Sequence, residues 1–211
     1  MTMEEAEAFF KSYLGNGYLM WHEDIPGEAA FRALNLPEET LQAWRQDILE
    51  EEVAKATAEG GKVWTHLSAA IDVLRDMRQS TPENHRMVIA ALRGALAADA
   101  AQRTILLESV VGRTASGNDG LLALTREREP QLLGELLEVA DVLADSLDEA
   151  AREASEAQET APETPETPET PEVPSADAWP WNPLDFRPSF NPERAQRVVE
   201  NYRSKARRLR Q

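Results

Sequence analysis

The sequence predicts an all-α protein: a helical bundle or short stack of helical hairpins, followed by a disordered Pro/Glu/Thr linker and a C-terminal amphipathic helix. Ala, Leu, Glu and Arg abound in the first 156 residues, and aromatic residues are 6% of the chain. That composition favours helix. Apolar residues return at spacings of three and four, and no convincing alternation of the strand kind interrupts them. Beyond residue 157 the pattern stops, and from Pro162 to Pro174 a proline stands at every third position.

The elements follow in order. Thr2 and Glu5 form a capping box, each side chain satisfying a free N–H of the first turn, and predict a helix to Leu14. Gly15-Asn16-Gly17 ends it. The stretch 15–26, centred on Tyr18-Leu19-Met20-Trp21-His22, is ambiguous between helix and strand until Pro26-Gly27 punctuates it before a short helix reaching Leu34. After Pro37, Leu41, Trp44 and Ile48 mark an amphipathic helix into Glu52 or beyond, which Gly60-Gly61 stops. Trp64, Leu67, Ile71 and Leu74 make the stripe of the next helix. Thr81-Pro82-Glu83 is an N-cap, a first-turn proline and a dipole-matching acid, opening a helix through Val88, Leu92 and Leu96. Asp99 opens another that carries Ile105, Leu106 and Val110. Residues 112–120 read as a polar loop. Pro130 starts the last domain helix, whose near-heptad stripe runs from Leu133 through Leu136, Leu137, Ala140, Leu143, Ala144 and Leu147 before fraying near Ala157.

Four segments result: an acidic helical domain (1–156), a disordered Pro-Glu-Thr linker (157–178), an aromatic/proline docking segment (179–192) and a basic amphipathic helix (193–211). The linker has nothing to bury. Proline stiffness and repelling glutamates make it a semi-rigid spacer reaching on the order of 60 Å.

The formal net charge is −16 and cysteine is absent. The charge argues against the domain surface as a binder of nucleic acid or anionic membrane. Lack of cysteine excludes disulfides, thiolate metal sites and a thiol nucleophile, and suits a reducing compartment. An acidic amino-terminal stretch where a secretory signal would be basic, with no apolar run of membrane length, points to a cytoplasmic protein. The Ala/Arg-rich usage resembles the coding bias of a GC-rich bacterial genome, so a bacterial or phage origin is expected. Residues 148–172 hold nine acids and one base, or −8, whereas 193–211 hold seven bases and two acids, or +5. A split of this kind marks a tail with its own task.

No catalytic, cofactor or metal motif emerges. His22, His66 and His85 are far apart and lack metal-ligand spacing, so each is read as structural or surface. Gly60-Gly61-Lys62 lacks the strand, the earlier glycine and the following Ser or Thr of a phosphate loop, and reads as a helix stop. Asp72 and Asp76 share a helical face, but Arg75 and Arg78 beside them describe a solvated, neutralised surface. Trp44 and Trp64 read as core. Trp21, between two breaks, is weighed between core and an exposed binding patch.

The strongest constellation lies in 179–192, where Trp179, Trp181, Phe186 and Phe190, with Leu184, stand among four prolines. Large apolar side chains on a stiff backbone suit anchoring in pockets. They serve another chain as docking anchors or pack on this one. Asn191, Pro192 and Glu193 then open a helix whose stripe is Ala195, Val198, Val199, Tyr202, Ala206 and Leu209. Arg194 and Lys205 border one side, and Arg203, Arg207 and Arg210 the other. Such a helix fits an acidic-rimmed apolar groove, with long stems over apolar surface and heads on acids. The pattern also fits a calmodulin-target or membrane-surface helix, though so small a stripe binds bilayers weakly.

The expected function is a non-enzymatic adaptor or assembly protein whose tethered tail docks in a protein partner's groove. Two alternatives stand beside it: a self-assembling bacterial or phage scaffold or chaperone whose tail docks on its own acidic domain, and a nucleic-acid regulator acting through the tail.

Overall fold

The computed structural model describes residues 1–14, 26–58, 63–112, 120–160 and 189–211. The ambiguous stretch 15–25, the Gly60-Gly61-Lys62 turn and the linker and aromatic/proline residues 161–188 lie outside them. Among the described residues the chain is all-α, with nine α-helices and no strand.

Helix α1 (Met3–Phe9) carries the expected capping box, with Thr2 Oγ1 accepting from the Glu5 N–H and Glu5 accepting from the Thr2 N–H at 2.6 Å. The predicted helix to Leu14 changes register after Phe9, continuing as a π-helix over Phe10–Leu14. Phe9 and Phe10 are both buried there, although they are adjacent in sequence. Phe9 lies 5.3 Å from Phe31, and Phe10 lies 5.5 Å from Trp44, ring centre to ring centre. This aromatic cluster joins α1 to α2 (Glu28–Ala33) and α3 (Glu38–Ala58).

Helices α3 and α4 (Val63–Asp76) form an antiparallel hairpin: Gln42 donates to the Gln79 carbonyl at one end, and Glu52 meets His66 toward the other. Trp44 is core, as expected, whereas Trp64 is only half-buried at its edge. The caps at Thr81 and Asp99 open α5 (Pro82–Gly94) and α6 (Ala100–Val111) as predicted. Leu96 falls in a 3-10 turn rather than in α5 itself.

The region beyond residue 120 contains a helix that periodicity did not predict, α7 (Leu121–Arg128). It begins at Gly120, where a Cβ would lie 2.3 Å from the Gly112 backbone nitrogen. Only glycine allows the end of α6 and the start of α7 to touch so closely. Arg128, at the far end of α7, donates to the carbonyls of Leu74, Arg75 and Met77 at 2.8–3.0 Å, capping the exit from α4.

After a 3-10 turn at Pro130–Leu132, α8 (Leu133–Thr160) buries the predicted stripe from Leu136 to Leu147, leaves Leu133 partly buried, and continues to Thr160, past the expected fraying point. The last helix, α9 (Pro192–Leu209), crosses α6 and α8. Its Ala195, Val198, Val199, Tyr202 and Ala206 belong to the same continuous apolar core as α1 to α8.

Candidate interaction site

Asn191 caps α9 by accepting from the Arg194 N–H at 2.9 Å, with Pro192 in the first turn, so the helix starts where its sequence signals it. Its apolar residues fall on one face because they recur every three to four positions. That face lies against α6 and α8. Glu193, Arg197 and Glu200 point away and are exposed or half-exposed.

The two cation rows of the helical wheel meet two different helices. On the α6 side, Arg194 makes a two-pronged pair with Glu108, Nε and Nη2 donating at 2.9 and 2.6 Å, and Lys205 donates to the Val111 carbonyl at 2.7 Å. Fork-on-carboxylate geometry of this kind fixes direction as well as adding energy. The bond to Glu108 holds the Arg194 guanidinium in its charged form even more firmly than usual. On the α8 side, Arg203 reaches Asp145 at 3.0 Å and Asp148 at 2.6 Å, and Arg210 pairs with Asp141.

Tyr202 stands between the rows and is fully buried. Its hydroxyl donates toward the Leu137 carbonyl at 3.0 Å and Asp141 Oδ1 at 2.8 Å. Burial, followed by the bond to Asp141, pushes the phenol well above its ordinary value. A buried hydroxyl without such a partner would oppose docking.

Val198, Val199 and Tyr202 therefore lie inside the interface, with Leu209 half-buried at its edge. Arg194, Arg203, Lys205 and Arg210 border it. Arg207 is exposed. Phe190 packs half-buried against the core just before the cap. Trp179, Trp181, Leu184 and Phe186 lie outside the described residues.

The acceptors on the other side were not singled out from sequence. Asp141, Asp145 and Asp148 recur at spacings of four and three along α8, a helical row that a wheel would have found. Glu108, 86 positions from Arg194, carries no local signal.

His66, His85, Asp72 and Asp76 have partners within the fold, whereas Trp21, His22 and Lys62 lie outside the described residues. His66 Nδ1 lies 2.8 Å from Glu52. His85 is fully buried between the hydroxyls of Ser80 and Thr125, and burial lowers its pKa. Arg75 pairs with Asp72 at 2.8 Å and lies 3.8 Å from Asp76. Among the described residues, no group of three or more His, Asp or Glu is placed to hold a metal ion, and no helix is long and apolar enough to cross a membrane. Compared with protein-family models, curated proteins and solved structures, the chain matches none.

Proposed function

We propose that this chain is a non-enzymatic adaptor or assembly protein in which α9 docks on α6 and α8 of its own chain and Trp179, Trp181, Leu184 and Phe186 anchor a protein partner. The observation that supports this reading is the docked helix itself. With α9 packed on the domain, residues 161–188 connect α8, buried as far as Ala151, to α9, buried from Ala195. A segment held at both ends has less freedom to lose on binding than a free tail, which favours affinity for the same side chains.

Four of the seven C-terminal cations, Arg194, Arg203, Lys205 and Arg210, are already engaged by the chain's own oxygens. Arg197, Arg207 and Arg208 stay exposed, too few cations on a chain of net charge −16 to favour a nucleic-acid role. Exchange of α9 between copies would produce the self-assembling alternative. The tether holds the helix at an effective concentration on the order of millimolar, so the intramolecular arrangement wins in dilute solution.

The test is quantitative affinity purification from the native host with the full chain and with W179A/W181A/F186A. Partners recovered by the full chain and lost from the triple variant support the reading. Identical partner sets overturn it.

A further inference from the structure

A concave cleft opens where the end of α6, the outer face of α7 and the last turns of α9 converge, with a volume of about 470 Å³. Val111, Leu122 and Leu209 form its apolar side, and Arg126, Lys205 and Arg208 surround it with Glu127 as the single acid. The size lies within the roughly 300–1,000 Å³ range of ligand pockets.

The charge here runs against the rest of the molecule. Among the described residues about half of the Lys and Arg side chains pair with an acid, as Lys11, Arg32, Arg45, Lys55, Arg86 and Arg194 do. Arg126 and Arg208 are exposed and have no ion-pair partner among the described residues. Lys205 spends one of its three N–H groups on the Val111 carbonyl. The cleft thus carries unspent donors beside apolar surface, with a local charge of +2 on a protein of −16.

We infer that this cleft binds an acidic peptide segment of a partner protein, with one aliphatic side chain against Val111, Leu122 and Leu209 and flanking carboxylates on Arg126 and Arg208. Guanidinium pairs with carboxylates bidentately, which sets the spacing of the two acids around the apolar anchor. Much of the lining belongs to α9, so the cleft is complete only while that helix is docked. A ligand there stabilises the docked form by an amount that grows with the logarithm of ligand concentration above Kd.

The test uses the full chain and a fluorescein-labelled peptide with a single leucine between two runs of glutamate, followed by anisotropy at low salt and by methyl NMR. Binding should shift the Leu122 and Leu209 methyl signals. It should weaken at least about ten-fold in R126Q/R208Q, two exposed positions whose exchange leaves the fold intact, and vanish when glutamines replace the peptide's glutamates. W179A/W181A/F186A should bind the peptide as the wild type does, which separates this site from the proposed partner anchor. No binding at low salt, or equal binding to R126Q/R208Q, overturns the inference. Decanoate moving the same methyl signals while the peptide does not would also overturn it, in favour of a lipid carboxylate.

Discussion

Helices α4 and α9 each bury an apolar stripe in the common core, but α4 is enclosed on nearly every side whereas α9 leaves one face exposed, and the two stripes differ in chemistry. In α4, Leu67, Ala70, Val73 and Leu74 are fully buried, and Ile71 is 3% exposed. In α9, Ala195 and Tyr202 are fully buried, with Val199 and Ala206 close behind. The first stripe is rich in leucine and branched aliphatics, whereas the second has two alanines, two valines and a tyrosine whose hydroxyl must be satisfied. Small side chains remove little apolar area from water, so α9 draws more of its attachment from Glu108, Asp141, Asp145 and Asp148. Those pairs are part-exposed, and each contributes roughly 0–1 kcal/mol. A buried stripe does not by itself fix the strength of attachment: α9 is expected to detach before α4.

The largest break in this comparison is Leu74→Ala, which should cost about 2–5 kcal/mol by opening a cavity in the core. Urea denaturation followed by circular dichroism should register it as a loss of the whole fold rather than of one helix. Arg128→Gln should follow, at about 2–3 kcal/mol, because it strips three carbonyls at the end of α4 of a charged donor. A cost near zero would remove the capping role assigned to α7.

Tyr202→Phe should cost about 1–2 kcal/mol and act mainly on the docking of α9, read as faster amide exchange in that helix. Because the fold raises the Tyr202 pKa, its contribution is complete below the ordinary tyrosine value of about 10 and falls as the pH rises above it. The phenylalanine variant should lack this alkaline loss. Arg203→Gln should have the smallest effect, at most about 1 kcal/mol, and it should shrink as salt is added.

Local signals made much of the fold legible. Thr2 with Glu5, Thr81, Asp99 and Asn191 each mark a helix start because a short polar side chain satisfies a free N–H within four residues. Helix α7 escaped because eight residues following a glycine show too little periodicity, and its hold on α4 depends on Arg128 reaching more than fifty positions back. The α9 wheel separated the cations into two rows, but only the fold assigns one row to α6 and the other to α8. The cleft beside Arg126 and Arg208 joins the consecutive helices α6 and α7 to α9, far along the chain, so no single stretch of sequence announces it.

Native-state hydrogen exchange across α4 and α9, measured at low and high salt, tests the central claim most directly. Docking of α9 on its own α6 and α8 predicts slow exchange over residues 195–206 that quickens markedly with salt, while α4 stays protected and nearly insensitive. Unprotected α9 amides at low salt, or equal protection and equal salt response in the two helices, would contradict it.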